Sequence, residues 1–262
     1  MKVVILAGGM GTRLSEETKV LPKPMVEIGG KPMLWHIMNW YSIQGYNDFI
    51  VCCGYKGNVI KEYFYNMFHA HRDFTIDFYS HRTEVAYHSL PEKPGWKVTC
   101  IDTGEQTMTG GRIVKVLPYL ENEPFMLTYG DGVSSVDLQH LRFFHEEHNA
   151  LVTMTAVHSP ARFGVLQFPP SSPGLVSSFR EKPVGSDTDW VNGGFFIVER
   201  FPTHLIKDNI ENMTWEKDVL PELVKTGNLA AYKHEGFWKC MDYYKDKQEL
   251  EEMYKEKGHI YG

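Results

Sequence analysis

Residues 3–14 read VVILAGGMGTRL, and few openings restrict a fold so strongly. Five consecutive apolar residues are too few for a spanning helix and too uniform for a strand with one wet face. They predict a strand from Val3 to Ala7 covered on both sides. Glycines follow at once, so backbone, rather than side chains, faces whatever lies beyond the strand's carboxyl end. Strands buried on both faces occur where helices cover a sheet from each side, which implies an α/β protein.

The rest of the chain extends that pattern. Met33, Leu34, Ile37, Met38 and Tyr41 fall on one face of a predicted helix. Phe49 to Cys53 is a second buried strand, and a helix is predicted from about Asn58 to Met67. Strand, helix, strand, helix predicts a doubly wound, mostly parallel mixed sheet of the Rossmann-like kind. Residues 74–102 are less regular, with one weak strand at Val98 to Ile101. Phe125 to Tyr129 returns to the buried pattern and ends on Gly130-Asp131-Gly132. Asp137 is placed to cap a helix that turns Leu138, Leu141 and Phe144 inward. Leu151 to Val157 and Phe195 to Val198 read as strands, and Asp246-x-x-Glu249 as the capping box of a last helix over 246–258. No repeat or linker divides the chain, so residues 1–262 read as one domain, its later strands forming a smaller β lobe over the ligand-binding edge of the sheet.

The formal charge of −6 argues against a nucleic-acid partner, which calls for a basic excess. A small anion is not excluded, because exposed charges are screened beyond roughly 8–10 Å. Cys52, Cys53, Cys100 and Cys240 form no CxxC or zinc-like spacing, so no metal framework is expected from them. Low cysteine use and the lack of a signal-peptide pattern point to a reducing cytoplasm. No apolar run is long enough to span a membrane.

Two familiar phosphate motifs fail on inspection. A dinucleotide fingerprint needs G-x-G-x-x-G; Gly9 and Gly11 start it, but Leu14 holds the third glycine position. A Walker A loop fails as well, since Pro32 follows Gly30-Lys31 and Met25 stands where its first glycine belongs. Taken alone, the glycines fit a phosphate cradle or a tight turn equally well. Arg13 and Lys23 favour the cradle: one offers a planar fork to phosphate oxygens, the other a compact point charge. Pro22 and Pro24 restrict the backbone of Lys23, which reads as an exposed lysine with an aimed side chain.

The same order of motifs continues through Met108-Thr-Gly-Gly-Arg112, Tyr129-Gly-Asp-Gly-Val133, Phe163-Gly-Val165, Phe179-Arg-Glu-Lys-Pro183, Val191-Asn-Gly-Gly194 and Phe237-Trp-Lys-Cys-Met-Asp242. Together with LAGGMGTRL and PKPMVEIGGKP, this series resembles the sugar-nucleotide pyrophosphorylases, nucleotidyltransferases that act on sugar 1-phosphates. The likeness spans essentially the whole chain. VEIGGKPMLWHIM and YGDGV look most like the members that join CTP to glucose 1-phosphate and make CDP-glucose. The resemblance implies a Mg²⁺-dependent reaction in which the sugar phosphate attacks the α-phosphorus and pyrophosphate leaves.

By the same resemblance, Leu6, Gly8, Gly9, Gly11, Thr12, Arg13, Lys23, Thr109, Gly110, Gly111 and Asp131 are expected to bind the nucleotide. Arg13 would lie on the β- and γ-phosphates, and Lys23 on the α-phosphate or the sugar phosphate; these two are the expected catalytic residues. Gly110 and Gly111 would bring backbone to the pyrimidine edge. Gly164, Glu181, Lys182, Asn192 and Gly193 are expected around the sugar phosphate, with a looser match at Glu216. Asp131 and Asp242 would hold the metal. The nucleotide part would cover roughly residues 1–135 and the sugar and metal part roughly 136–245.

Two departures stand out. Gly132 replaces the asparagine of many relatives, and Trp238 lies four residues before Asp242, where a shorter spacing is usual. His36 lies in an apolar helix and reads as a satisfied core histidine, and no histidine forms an HExxH motif. The aromatic-rich stretch over residues 64–87 is the expected interface of a homo-oligomer. Transfer with dTTP or UTP is the nearest alternative reaction. A non-catalytic sugar-nucleotide sensor and a nicotinamide oxidoreductase are the rivals from other classes, the second weakened by Leu14.

Overall fold

The computed structural model describes residues 1–11, 14, 20–70, 73–77, 84–88, 95–158, 165–167, 174–180 and 190–262. In chain order the strands are β1 (Lys2–Leu6), β2 (Glu27–Ile28), β3 (Lys31–Pro32), β4 (Asp48–Cys53), β5 (Phe74–Asp77), β6 (Glu84–Tyr87), β7 (Lys97–Asp102) and β8 (Phe125–Tyr129), followed by β9 (Gly132–Ser134), β10 (Val152–His158), β11 (Val165–Gln167), β12 (Ser178–Arg180), β13 (Trp190–Val198), β14 (Leu229–His234) and β15 (Trp238–Cys240). The α-helices are α1 (Met33–Ile43), α2 (Gly57–Ala70), α3 (Thr109–Val116), α4 (Leu138–His148), α5 (Leu220–Lys225) and α6 (Tyr244–Lys257).

The opening apolar run lies at the centre of the main sheet. β1 pairs in parallel with β4 through Val3–Phe49 and with β8 through Val3–Met126, and β4 pairs in parallel with β7. Alternate residues of β1 enter different cores. Val3, Ile5 and Ala7 meet Met33, Leu34, Ile37, Met38 and Tyr41 of α1 on one face. Val4 and Leu6 meet Ile113 and Val116 of α3 on the other. Both faces are dry, which is why this run has no polar alternation. The doubly wound α/β architecture read from the sequence is the one observed.

Beyond β8 the same sheet continues in mixed sense. β13 pairs antiparallel with β8, β10 and β11, and β10 pairs in parallel with β14. Strands β10 to β14 thus extend the central sheet, whereas β9 and β15 pair antiparallel in a separate two-stranded sheet.

Two elements differ from expectation. The strand read from Phe195 to Val198 begins earlier, at Trp190, so Asn192-Gly-Gly lies inside β13. The glycines serve a kink: Gly194 and Phe195 both have positive φ, 76° and 48°, opposite a register shift between Met154 and Ala156. There β13 passes from pairing with β11 to pairing with β8. A bulge of this kind bends a strand and re-aims its neighbours. Asp246 does not begin the last helix either; α6 starts at Tyr244 after an N-cap at Tyr243. Asp246 reaches back to accept the N–H groups of Tyr243 and Asp242, at 2.8 and 3.0 Å, so it satisfies donors from inside the first turn. Glu249 pairs with Lys239 instead.

Candidate active site

A cavity of about 510 Å³ opens at the carboxyl ends of β1 and β8, where α/β sheets place their ligands. Its floor is the glycine loop. The Gly8 carbonyl accepts from the Tyr55 N–H at 3.0 Å and from Arg112 Nη2 at 2.9 Å. A Cβ on Gly8 would come within 2.1 Å of Arg112 Nη1, so glycine is required there by the buried guanidinium. Arg112 also donates to the Thr103 hydroxyl at 2.6 Å and the Gly104 carbonyl at 2.8 Å. These oxygens hold the positive fork in place, while its burial pulls its pKa below the ordinary arginine value. Gly9 has open space where a side chain would be, which leaves its backbone accessible from the cavity.

β15 supplies one wall. Side chains alternate along a strand, so Trp238, Cys240 and Asp242 face the cavity while Met241 enters the core. The Met241 N–H donates to the Asp131 carbonyl at 2.9 Å, which ties this wall to the end of β8. Side-chain ligand atoms of Asp131, Cys240 and Asp242 consequently lie within 4.8 Å of one another.

Lys23 occupies the space between the two acids. The short turn Lys23–Met25, entered from Pro22, directs the side chain inward, and its Nζ is 2.6 Å from Asp131 Oδ2 and 2.6 Å from Asp242 Oδ1. The lysine is 8% exposed, which corrects the expectation of an exposed side chain: the flanking prolines aim it into the protein. Burial by itself favours the neutral amine, but the charges of Asp131 and Asp242 outweigh it and hold the pKa above the ordinary lysine value. For Cys240 burial and the Asp131 charge act together and push the thiol well above its usual range. A lysine and two carboxylates carry a net charge of −1, and their oxygens are hard ligands suited to Mg²⁺.

The opposite wall connects β13 to the end of β8, to α3 and to Glu216. The Asn192 carbonyl oxygen accepts from the Gly194 N–H at 2.9 Å, and its amide donates to the Tyr129 hydroxyl at 3.2 Å. Tyr129 donates to Glu216 Oε1 at 2.6 Å, and Thr109 donates to Glu216 Oε2 at 2.6 Å. Trp238 Nε1 donates to the Gly193 carbonyl at 2.7 Å, spanning the two walls.

Of the residues singled out from sequence, Leu6, Gly8, Gly9, Gly11, Lys23, Thr109, Asp131, Asn192, Gly193, Asp242 and Glu216 line this one cavity. Gly110 and Gly111 do not. They are buried in the first turn of α3, where a Cβ on Gly111 would strike the Ile210 carbonyl at 2.1 Å. The Gly111 N–H is already used by Met213. Their small size serves packing against residues 210–214. Thr12, Arg13, Gly164, Glu181 and Lys182 lie outside the described residues. Arg112, Tyr129, Trp238 and Cys240 were not assigned to the site from sequence. The period-2 alternation back from Asp242 could have located Trp238 and Cys240, whereas nothing local marks Arg112 or Tyr129.

Residues 2–242 match the family model described as nucleotidyl transferase. The chain is 51% identical over 259 residues to the glucose-1-phosphate cytidylyltransferase of Salmonella typhi, covering 98% of this chain and 97% of that protein. It has the same identity and coverage with the enzyme of that name from Salmonella typhimurium. Among solved structures, HddC from Yersinia pseudotuberculosis superposes with a TM-score of 0.73 at 26% identity, covering 97% of this chain and 99% of that one. The chain belongs to the nucleotidyl transferase family.

Proposed function

We propose that this protein transfers the cytidylyl group of CTP to α-D-glucose 1-phosphate, giving CDP-glucose and pyrophosphate. The observation that carries the reading is the seat of Lys23, buried between two carboxylates at the mouth of the glycine loop. The 51% identity to enzymes named for this reaction supports the choice of CTP and glucose 1-phosphate over dTTP or UTP. A non-catalytic sensor would have no need to keep this lysine and both acids together.

In the reaction a phosphate oxygen of the sugar phosphate forms a bond to the α-phosphorus, and the bond from that phosphorus to the β-bridging oxygen breaks. The difficulty is bringing two polyanions into line. The backbone at Gly8, Gly9 and Gly11 is where we place the nucleotide, with Arg112 adding positive charge beneath it. Lys23 is a fixed ammonium beside the reacting phosphates and stabilises charge as it develops. Asn192 and the Gly193 backbone are assigned to the sugar, and Glu216 is held by Tyr129 and Thr109 at the junction of the two subsites. Arg13, Glu181 and Lys182 are assigned to the phosphates and the sugar phosphate on the sequence resemblance.

Asp131 and Asp242 would hold a Mg²⁺ ion, which when bound supplies Lewis-acid stabilisation of phosphate oxygens. No helix among the described residues is long and apolar enough to cross a membrane, and we place the enzyme in the cytoplasm. We assign self-association to the surface where Tyr65, Phe68, Phe74, Ile76 and Val85 are exposed.

Pyrophosphate release from glucose 1-phosphate and Mg²⁺, with CTP, dTTP, UTP, ATP and GTP tried separately, tests the reading. Release with CTP is expected. Release only with another nucleotide would overturn the cytidylyl assignment, and no release from folded protein would overturn the reaction.

A further inference from the structure

The third member of the acidic cluster is a sulfur. Cys240 ends β15 and Asp242 follows two residues later, both lining the cavity, and Asp131 meets them through the pairing of Cys240 with Gly132. Two carboxylates alone are a hard pair that suits Mg²⁺. A thiol within 4.8 Å of both changes the preference, because sulfur selects softer ions and a mixed S/O set suits zinc-like coordination. A separate observation shows that this position receives a cation: the Lys23 ammonium is already there, 2.6 Å from an oxygen of each acid.

We propose that Asp131, Cys240 and Asp242 form a binding site for thiophilic divalent cations such as Zn²⁺ and Cd²⁺, which displace the Lys23 ammonium and are held by one sulfur and two carboxylate oxygens. On coordination the Cys240 thiol gives its proton to water and the metal–sulfur bond forms; nothing is oxidised or reduced. Cys240 is then a specificity-determining residue. It sets how strongly a soft ion competes with Mg²⁺ for the acids, and a soft ion that takes this place removes both Lys23 and Mg²⁺ from the cavity. The inference uses the acidic pair but does not depend on which nucleotide the enzyme takes.

The test is a Cd²⁺ titration of the full-length, nucleotide-free protein in a thiol-free reductant. It is followed by sulfur-to-cadmium charge-transfer absorption and by calorimetry. One equivalent of Cd²⁺ should bind with a charge-transfer band. In Cys240→Ser the band should vanish and Cd²⁺ affinity should fall by more than roughly 100-fold, since even outer-shell losses cost about 10–100-fold. Mn²⁺ binding should change little, because serine keeps an oxygen. Asp242→Asn should weaken both ions. A band that survives in Cys240→Ser, or equal Cd²⁺ affinity in the two proteins, would overturn the proposal, as would failure of the wild type to bind Cd²⁺. Should the serine variant misfold by circular dichroism, Cys240→Ala gives the same reading for Cd²⁺. Pyrophosphate release by the wild type with Mg²⁺ and CTP separates failure of this site from failure of the proposed reaction.

Discussion

Replacing Lys23 by methionine keeps an unbranched side chain only one atom shorter and removes its charge, leaving Asp131 and Asp242 facing each other. Their oxygens are within 4.8 Å, a separation at which two like charges repel by about 3.5 kcal/mol at an effective dielectric of 20. Asp131 retains some access to water, with 28% of its side chain exposed, so a loss of about 2–3 kcal/mol is expected. This lies near the lower end of what breaking a buried ion pair costs, about 3–5 kcal/mol. For a chain of this size it corresponds to a fall in Tm of roughly 4–12 °C. Urea unfolding followed by far-UV circular dichroism gives the free energy, and the double variant Lys23→Met/Asp242→Asn provides the control. Removing one of the two facing charges should recover most of the loss, so the double variant should be more stable than Lys23→Met alone. Divalent cation should also stabilise Lys23→Met more than wild type, because no ammonium competes for the acids. If the unfolding midpoint of Lys23→Met matches wild type, or if the double variant is no more stable than the single one, the lysine is not balancing this pair and the electrostatic reasoning fails.

Gly8→Ala should raise the KM for nucleotide at least tenfold, because its Cβ cannot coexist with the Arg112 guanidinium at 2.1 Å and a shift of about 1 Å can cost 10²-fold; steady-state kinetics at saturating sugar phosphate would show it. Tyr129→Phe removes the hydroxyl that joins Asn192 to Glu216 and should cost about 1–3 kcal/mol of stability, measurable by denaturant unfolding; an unchanged midpoint would mean that water replaces the hydroxyl. The two carboxylates hold the Lys23 pKa above its ordinary value, so its charge persists on the alkaline side. The kcat/KM profile should show no loss from this group below about pH 10, near the ordinary lysine value, and an alkaline limb below that pH that disappears in Lys23→Met would contradict it.

Much of the architecture was legible along the chain because its signals are local. A dry strand needs an unbroken apolar run, as Val3 to Ala7 shows, and a helix on a sheet needs apolar residues at helical spacing, as Met33 to Tyr41 shows. The order of the motifs, read through resemblance, named the glycine loop, Lys23 and the two acids before any of them was placed in space. The sequence thus determined the fold class and named eleven of the residues that line the cavity.

Tertiary structure decided what those residues do to one another. Lys23 looks like a solvent-facing lysine until the turn after Pro22 aims it between acids 108 and 219 residues away. Gly111 carries no local sign that the Ile210 carbonyl lies where its side chain would go. Arg112 carries no local sign that it lies under Gly8, and the strand read from Phe195 starts in fact at Trp190 and kinks at Gly194. In each case the deciding quantity is a distance between segments far apart in the chain. Local propensity and spacing are blind to such distances, because they arise only when the whole sheet has closed around its two cores.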